Sequence, residues 1–497
     1  MEAVTPYETV IGLEVHVELL TETKLFCGCP NKFGGAPNAH VCPVCLGLPG
    51  TLPVVNRAAV DQLLRAAVAL GCETPPWSKF DRKNYFYPDM PKNFQISQYD
   101  QPFALGGQLE VLADGADAPT RIGITRIHLE EDTGKSTHAG GTGRIESASF
   151  TLEDYNRAGV PLAEIVSEPD IRGAAEAVAY LERLREILRW VGVSDCKMEE
   201  GSLRCDANVS VRPRGASALG VKTEIKNMNS FRSVQRAIEY ESRRQVEAIE
   251  RGERIVQETR AWDEERGLTH SLRSKEEAHD YRYFPEPDIP PMHVDEAWLA
   301  RVRASLPELP QARRARFIEQ YGLSPYDAAG LTRSRAMADF FERVTGMGSA
   351  AKEVANWLMG DVSRLLNVAA QSIDESRLRA ESLHEMLELI DRSVVSKKLA
   401  KDVLEEMFAS GDGAGTVVER RGLRQIGSAD DLRPIVERVL DEQASTVADY
   451  LGGREKAFGF LVGQVMAATR GKASPQVANQ LLRQVLDEKR AALGSEG

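Results

Sequence analysis

Four short stretches of the chain alternate apolar residues with polar or charged ones, and this alternation limits the possible folds more than any other feature. The first stretch covers residues 11–19 and sets Glu14, His16 and Glu18 against five apolar residues. The other three lie at 126–130, 202–211 and 221–226. Because consecutive side chains of a strand point to opposite faces, each stretch predicts a β-strand with one apolar face and one polar face.

A sheet with one apolar and one polar face is normally antiparallel, and its polar face is most often solvated surface. Here the polar positions mix carboxylates, histidine, asparagine, arginine and lysine, and the segments 130–135 and 154–159 add more of the same residue types. Mg²⁺ binds hard oxygen ligands, retains waters and is often completed by substrate phosphates. The composition of this face therefore favours a metal–nucleotide site, with a merely solvated surface as the alternative.

The chain has 497 residues with 42% hydrophobic content, which is enough for sizeable cores divided among two to four domains. It contains no apolar run near the roughly 20 residues that span a bilayer, and its first residues do not resemble a signal peptide. We therefore expect a cytoplasmic protein without membrane contacts. The net charge of −12 argues against indiscriminate nucleic-acid binding, although residues 407–497 balance 12 basic with 12 acidic residues.

Four of the seven cysteines form a C-x-C pair and a C-x-x-C pair separated by twelve residues. Two close pairs on turns can complete a tetrahedral shell of four thiolates, and such a closed shell is typical of structural zinc. The predicted zinc ligands are Cys27, Cys29, Cys42 and Cys45. His40 is an alternative ligand, and the remaining three cysteines are expected to be buried thiols.

The chain divides by composition into a mixed part and helical parts. Strand and helix patterns alternate up to about residue 293, with helices predicted at 174–191 and 233–254. Four prolines within 285–291 exclude a continuous helix or central strand there, and a glycine-rich segment at 410–415 marks a second change. We predict domains at 1–293, 294–406 and 407–497. Ser382 and Glu385 fit a capping box that opens a helix.

The familiar nucleotide-binding and hydrolase motifs do not occur. Gly134, Lys135 and Ser136 resemble the end of a phosphate-binding P-loop, but Leu129 occupies the position of its first glycine. H-E-x-x-H, G-x-S-x-G and a dinucleotide-binding G-x-G-x-x-G between a strand and a helix are missing as well. If ATP binds, we expect it to be held across a sheet by metal and side chains.

Five sequence blocks together resemble the GatB/GatE family, the B subunits of aspartyl/glutamyl-tRNA amidotransferases and their archaeal E-subunit relatives. The blocks read IGLEVHVEL at 11–19, HLEEDTGK at 128–135, DYNRAGVPL at 154–162, EEGSLRCDAN at 199–208 and EIKNMNS at 224–230. They occur in order, and the resemblance extends over essentially the whole chain. The archaeal E subunits usually carry an additional inserted domain, for which this chain is too short.

The resemblance implies an α+β fold, in which an antiparallel-sheet cradle similar to that of glutamine synthetase precedes all-α helical and tail domains. It also implies an ATP-dependent ligase that acts on glutamate or aspartate misacylated onto tRNA(Gln) or tRNA(Asn). The side-chain carboxylate is phosphorylated first, because oxide is a poor leaving group, and ammonia then displaces phosphate. Mg²⁺ would neutralise charge as the two anions approach.

The polar face and the resemblance together predict the site residues. Magnesium ligands are expected among Glu14, His16, Glu130 and Glu131, with Glu164 and Glu200 as weaker candidates. Other catalytic or nucleotide-binding side chains are expected to be Arg157, Arg204, Asp206, Asn208, Lys222, Lys226 and Asn227. The plain alternatives are a hydrogen-bonded histidine at position 16, and ion-pair partners at positions 157 and 222.

The chain lacks the serine–lysine signature of an amidase, so the resemblance implies a separate amidase-type glutaminase, which supplies channelled ammonia. A third, small protein would complete a heterotrimer, and misacylated tRNA and its synthetase would be further partners. In the tail, the candidates for contact with the tRNA backbone are Arg454, Lys456, Arg470 and Lys472. Two other functions stay open, namely a non-catalytic zinc-containing tRNA-binding scaffold and a tRNA-independent ligase.

Overall fold

The computed structural model describes residues 6–140, 148–274, 278–423, 429–469 and 472–494, which form two compact units divided between Leu309 and Pro310. The strands, all in the first unit, are β1 Tyr7–Glu18, β2 Trp77–Ser78, β3 Asp81–Asn84, β4 Phe94–Ser97, β5 Ala104–Leu105, β6 Gln108–Val111, β7 Thr120–Glu131, β8 Lys135–Ala139, β9 Phe150–Asp154, β10 Pro161–Ser167, β11 Leu203–Pro213, β12 Thr223–Lys226, β13 Glu258–Asp263, β14 Leu268–Ser274, β15 Phe284–Pro285 and β16 Met292–His293.

The helices are distributed over both units. Those of the first unit are α1 Arg57–Ala69, α2 Ala174–Trp190, α3 Phe231–Glu250 and α4 Glu296–Ser305, with a 3-10 turn at Ala278–Tyr281. Those of the second unit are α5 Pro310–Tyr321, α6 Pro325–Leu331, α7 Arg335–Gly346, α8 Ala351–Trp357, α9 Ser363–Ala369, α10 Ala380–Asp391, α11 Lys397–Ser410, α12 Ala414–Arg421, α13 Ala429–Glu442, α14 Ala444–Leu451, α15 Lys456–Ala468 and α16 Pro475–Gly494. A π-helical turn at Leu358–Val362 joins α8 to α9.

A nine-stranded sheet forms the centre of the first unit. Its strand order is β14-β13-β12-β11-β1-β10-β7-β5, and β6 also pairs with β7. The pairs are antiparallel except for β12 with β13, which run parallel and are connected through α3. The predicted α+β class, with a mainly antiparallel sheet followed by a helical region, is confirmed.

The apolar face of this sheet forms the core of the first unit. The β1 residues Ile11, Leu13, Val15 and Val17 are fully buried and belong to one cluster with apolar residues of α1, α2 and α3. The predicted helices at 174–191 and 233–254 are α2 and α3. The period-two pattern therefore sets which side of β1 faces the helices and leaves Glu14, His16 and Glu18 on the other side.

The fourth alternating stretch forms a shorter strand than its sequence predicts. Strand β12 begins at Thr223, whereas Val221 is exposed and lies before the strand. The positions 221 and 222 therefore do not extend the polar and apolar faces of the sheet.

Helix α4 packs within the first unit. The indole Nε1 of Trp298 donates to Asp61 Oδ1 of α1 at 2.5 Å, and the Arg57 guanidinium carbon lies 5.1 Å from the centre of the Trp298 ring. Residues 294–309 thus belong to the same compact unit as the sheet, although the sequence places a domain boundary at 293.

The second unit is helical throughout its described residues. Helix α12 packs on α10 and α11, and the predicted boundary between residues 406 and 407 falls inside α11. Helices α13 to α16 contribute a core cluster of their own that includes Leu432, Leu461 and Leu482. The predicted capping box is wrong, because α10 begins at Ala380, two residues before Ser382. Every helix within the described ranges is too short or too polar to cross a lipid bilayer.

Candidate functional site

A row of four side chains crosses the polar face of the sheet. The pairing register places His16 of β1 directly opposite Glu164 of β10 on one side and Arg204 of β11 on the other, and it places Glu164 opposite His128 of β7. The His16 Nε2 atom lies 3.3 Å from Glu164 Oε2, and His128 Nε2 lies 3.2 Å from the same oxygen. Residues far apart in sequence are thus brought into one contact group by strand register.

Glu130 completes this group from the next polar position of β7. Its Oε1 lies 3.5 Å from His16 Nε2 and its Oε2 lies 3.5 Å from His128 Nε2, while Ser97 Oγ donates to Oε2 at 2.9 Å. One ligand atom each from His16, Glu130 and Glu164 lies within 4.8 Å of the other two. A histidine nitrogen and two carboxylate oxygens at this spacing can hold a divalent metal ion.

The protonation states of this cluster are coupled through burial and charge. Burial raises the pKa of the Glu164 carboxyl, but His128 and His16 outweigh it and hold that pKa well below its usual value. Burial lowers the pKa of His128, but Glu164 and Glu130 outweigh it and raise that pKa to about 9. Burial also raises the pKa of the Glu130 carboxyl, but His128 and Lys83 outweigh it and lower that pKa. Both carboxylates are therefore ionised at neutral pH, as metal ligands must be, and His128 beside them is a cation.

Lys83 adds a positive charge beside the cluster. Its Nζ lies 4.9 Å from the centre of the Tyr281 ring and 5.9 Å from that of Tyr85, which are cation–π distances. Burial lowers the pKa of Lys83, but the carboxylates of Glu130 and Glu164 outweigh it and raise that pKa. The ammonium is therefore charged, and it partly balances the two carboxylates.

Two arginines converge on one buried aspartate next to this group. Asp132 Oδ2 accepts from Arg204 Nη2 at 2.8 Å and lies 3.3 Å from Arg157 Nε. Arg157 also donates to the carbonyls of Thr133 at 3.1 Å and Gly134 at 2.7 Å. Glu18 of β1 faces the same group, and burial together with Asp132 raises the pKa of its carboxyl to about 7. Two guanidinium groups thus meet one aspartate and one partly protonated glutamate, and their remaining N–H donors suit an anion.

A second acidic group lies on the neighbouring part of the same face. Glu14 accepts from Asn208 Nδ2 at 2.8 Å and lies opposite Asp206 in the strand register. Lys226 Nζ lies 2.5 Å from Asp206 Oδ2 and 3.6 Å from Glu224 Oε1. Glu14, Asn208, Asp206 and Lys226, all predicted as site residues, therefore share one region of the sheet, although Glu14 lies outside the His16–Glu130–Glu164 triad.

Other predicted residues lie elsewhere. Glu131 points to the opposite side of β7, where its carboxylate binds the Lys92 ammonium and accepts from Ile96 N at 2.9 Å, and it lines a separate cavity of about 180 Å³. Glu200 lies in a turn and pairs with Lys197 at 3.0 Å. Lys222 is exposed before β12, and Asn227 is exposed after it, with a left-handed φ of 64°.

The sequence prediction of the site missed several side chains that the fold brings to this face, among them Glu18. His128 and Glu224 occupy polar positions of stretches that alternate, so their periodicity was a usable signal. Asp132 continues the same period-two series after Glu130, just beyond the end of β7, whereas Lys83 follows no such pattern and is identified by its tertiary contacts. The Nδ1 atom of His128 is buried without a hydrogen-bond partner among the described residues.

The cysteine prediction corresponds to a compact group. The members of this group, each with its ligand atom within 4.8 Å of the others, are Cys27, Cys29, Cys42 and Cys45. A hydrogen bond from Cys27 lowers the pKa of the Cys45 thiol to about 5, and the Lys24 ammonium, 3.8 Å from that sulfur, acts in the same direction. The backbone carbonyl of His40 accepts from Lys24 at 2.7 Å. These four thiols can hold a metal ion.

The first unit is thus an α+β domain whose mainly antiparallel sheet carries a histidine–carboxylate cluster beside two arginines. A family model described as the GatB/GatE catalytic domain matches residues 9–300, and a GatB domain model matches residues 339–486. The chain therefore belongs to the GatB/GatE family.

Curated relatives match the chain over nearly its full length. The relatives from Carboxydothermus hydrogenoformans and Moorella thermoacetica are each 57% identical to it over 97% of this chain and 99% and 100% of their own chains. A relative from Thermoanaerobacter sp. is 55% identical over 97% of this chain and 100% of its own. All three are named as the B subunits of aspartyl/glutamyl-tRNA(Asn/Gln) amidotransferases.

Proposed function

We propose that the chain is the component of a tRNA-dependent amidotransferase that activates the side-chain carboxylate of misacylated glutamate or aspartate and amidates it. The observation that carries the proposal is the His16–Glu130–Glu164 triad beside Arg204, built by register on one sheet face. The names of the full-length relatives support the substrate class.

The triad is the proposed magnesium site, and its donor set fits a divalent cation with open positions for water and phosphate. Bound there, Mg²⁺ would supply charge neutralisation to the triphosphate of ATP. His128 and Ser97 bond to the two carboxylates and orient their oxygens, as outer-shell partners of metal ligands do. Glu131 and Glu200 are not proposed as ligands, because Glu131 accepts from Ile96 N on the other side of β7 and Glu200 pairs with Lys197.

Arg204 and Arg157 are the proposed phosphate-binding residues. Both guanidinium groups contact Asp132, which fixes their orientation and leaves donors for an anion. Lys83 and the protonated His128 add further cations next to the triad. Charge that develops on transferred phosphoryl oxygens would thus meet preorganised donors.

The region of Glu14, Asp206, Asn208 and Lys226 is the proposed position of the amino-acid substrate and of further nucleotide contacts. In the reaction, the substrate carboxylate oxygen bonds to the γ-phosphorus as the bond to the bridging oxygen breaks, which gives ADP and an acyl phosphate. Ammonia nitrogen then bonds to the acyl carbon, phosphate leaves with the carbon–oxygen electron pair, and a proton is released.

The partners proposed for this reaction are a glutaminase that supplies ammonia, a small third protein that completes the heterotrimer, and misacylated tRNA with its synthetase. The cysteine group is proposed to hold structural zinc. In the tail, Arg454 pairs with Asp449 at 3.1 Å and Lys456 begins α15. Those residues and Lys472 stay candidates for contact with the tRNA backbone, while Arg470 lies outside the described residues.

The test is tRNA-dependent ADP formation and amide formation by the chain reconstituted with its two protein partners. We expect Glu164→Gln and His16→Ala to lower both rates by roughly 10²–10³-fold, the scale for loss of a preorganised electrostatic group. Glu200→Gln is the matched control, since its carboxylate pairs with Lys197 of its own turn, away from the triad, and the change should leave both rates unchanged.

The same assay separates the alternatives. Wild-type rates in Glu164→Gln and His16→Ala would overturn the proposed site. Binding of tRNA without ADP formation would favour the scaffold, and equal ADP formation with free glutamate would favour the tRNA-independent ligase.

A further inference from the structure

The loop between the two cysteine pairs is bonded to the segment that carries Arg157. Asn38 N donates to Asp154 Oδ1 at 2.9 Å, and Asn38 Nδ2 donates to the Glu153 carbonyl at 3.0 Å. Asn38 Oδ1 in turn accepts from Tyr155 N at 2.8 Å. One asparagine of the cysteine loop thus binds three consecutive residues of the segment 153–157.

A second asparagine makes the reciprocal contacts from the other side. Asn156 Oδ1 accepts from His40 N at 2.8 Å, and Asn156 Nδ2 donates to the Ala36 carbonyl at 2.8 Å. Asn156 N also donates to Asp154 Oδ1 at 3.0 Å, which fixes the turn of its own segment. Because these contacts use backbone groups of the loop, they require the loop to hold its conformation.

Lys24 connects the thiols themselves to the same segment. This lysine is fully buried, and its ammonium contacts the Cys45 sulfur at 3.8 Å, the His40 carbonyl at 2.7 Å and the Tyr155 carbonyl at 3.3 Å. Leu25 N donates to the Gly159 carbonyl at 2.8 Å beside it. A buried ammonium without hydrogen-bond partners would be costly, so these contacts stabilise Lys24 between the thiols and the segment.

The far end of the segment is joined to the proposed phosphate site. Gly159 N donates to the Asp132 carbonyl at 2.9 Å, and Asp132 N donates to the Val160 carbonyl at 2.8 Å. Arg157 lies between these contacts and those of the two asparagines, and it reaches Asp132 and the carbonyls of Thr133 and Gly134. The segment is therefore held at one end by the central sheet and at the other by the cysteine loop, together with the pairing of Glu153 and Asp154 with β8.

We propose that metal bound by the four cysteines positions Arg157, with Asn38, Asn156 and Lys24 as the positioning residues. Metal closes the twelve-residue loop between Cys29 and Cys42 and so removes most of its conformational freedom. The ordered loop then presents Asn38 N, His40 N and the Ala36 carbonyl to the segment. The functional consequence of this coupling rests on the proposed phosphate-binding role of Arg157, whereas the coupling itself does not.

The coupling is tested by hydrogen exchange on the full chain, loaded with zinc and after treatment with a chelator. We expect zinc loss to accelerate exchange in peptides covering 27–45 and also in those covering 153–160, while the buried helix α2 stays protected. Faster exchange at 27–45 with unchanged exchange at 153–160 would overturn the proposal.

If metal loss unfolds the whole unit, chelation cannot test the coupling. Variants that keep all four cysteines test it without removing the metal. Asn156→Ala should retain one zinc per chain and accelerate exchange at 153–160 by about fivefold for each hydrogen bond lost. Asn38→Gly is a second variant that accommodates the left-handed φ of 57° at this position. The matched control is Asn31→Ala, because Asn31 Nδ2 lies in the same loop but bonds to Leu19 and Thr21.

Unchanged exchange at 153–160 in both Asn156→Ala and Asn38→Gly would overturn the coupling. A transamidation assay on the reconstituted complex then addresses the proposed function separately. Accelerated exchange with a raised KM for ATP supports both conclusions. Accelerated exchange with wild-type kinetics supports the coupling and overturns the phosphate-binding role of Arg157.

Discussion

His16 and Glu164 lie directly opposite each other on neighbouring strands, with the histidine Nε2 3.3 Å from the carboxylate Oε2. They are 148 positions apart in the sequence, and only the antiparallel register of β1 and β10 joins them. Together with Glu130 they leave ligand atoms from three strand positions within 4.8 Å of one another. The geometry of this pair therefore determines whether the polar sheet face can bind a divalent cation.

We expect the triad to bind Mn²⁺, used as a paramagnetic substitute for Mg²⁺, and to lose it when one ligand is removed. His16→Ala and Glu164→Gln should each weaken Mn²⁺ binding by at least about tenfold, since each removes one of three protein ligands. Electron paramagnetic resonance of free Mn²⁺ measures the affinity without any catalytic turnover. Glu131→Gln is a control from the other side of β7, and equal affinity in all the variants would contradict the assigned ligands.

Binding of Mn²⁺ should strengthen as the pH rises. Burial lowers the pKa of His16, but the carboxylates of Glu164 and Glu130 outweigh it and raise the pKa above 6.5. A proton and the metal compete for the same Nε2, so the apparent affinity falls below this raised pKa and levels off above it. Titrations at several pH values measure the effect, and His16→Ala should remove this part of the dependence. If the wild-type chain bound Mn²⁺ with the same affinity at every pH, the assignment of His16 as a ligand would be contradicted.

Metal removal should expose four reactive thiols and leave three unreactive. Burial raises the pKa of Cys72 to about 12 and that of Cys196 to about 11, and it raises the pKa of Cys205 as well. Few thiolates therefore form at these three positions in the folded chain. The contacts among the four ligand thiols also raise the pKa of Cys27, and burial raises that of Cys29 to about 11, so these thiols become reactive because metal loss releases the loop that holds them. Ellman's reagent should titrate four additional thiols per chain as a chelator releases one zinc. Cys72→Ser should leave that number unchanged, and a release of zinc without new thiols would refute the assignment.

Loss of the Arg82 guanidinium should strongly destabilise the first unit. Arg82 makes two bonds, of 2.7 and 2.8 Å, to Glu286, whose side chain is fully buried. Arg82→Leu leaves that carboxylate unpaired and should lower the free energy of unfolding by roughly 3–5 kcal/mol. Urea unfolding followed by tryptophan fluorescence measures it, because four of the five tryptophans precede residue 310.

An exposed ion pair provides the control for this prediction. Arg121 and Glu110 are both largely exposed and lie 3.4 Å apart, so Arg121→Leu should cost at most about 1 kcal/mol. The double variant Arg82→Leu/Glu286→Leu should recover part of the loss, because no unpaired charge stays buried. Equal effects of Arg82→Leu and Arg121→Leu would show that the buried pair is not required.

The sequence predicts the faces of individual strands better than the partners of those strands. Period-two alternation along β1 predicts that Val15 is buried and that His16 lies on the polar side, because both follow from local geometry. The cysteine group is predictable for the same reason, since its members lie within nineteen positions of one another. In both cases the spacing of residues along the chain is sufficient to predict which side chains lie together.

Long-range register is what the sequence does not reveal. Strand β10 reads as an almost entirely apolar run, so nothing local shows that Glu164 faces both His16 and His128. Consecutive glutamates at 130 and 131 look equivalent in sequence, yet they point to opposite sides of β7 and bind different partners. The metal ligands can therefore be assigned only when the order and register of the strands in the sheet are known.

The row formed by His128, Glu164, His16 and Arg204 also constrains how genes of this family can diverge. A codon inserted into or deleted from β1 or β10 would reverse the orientation of the following side chains of that strand, turning ligands towards the helices and valines towards the polar face. A point substitution alters one contact. An insertion or deletion of a whole codon within these strands displaces core residues and ligand residues at the same time. Viable insertions should consequently be restricted to the hairpins and loops that join the strands.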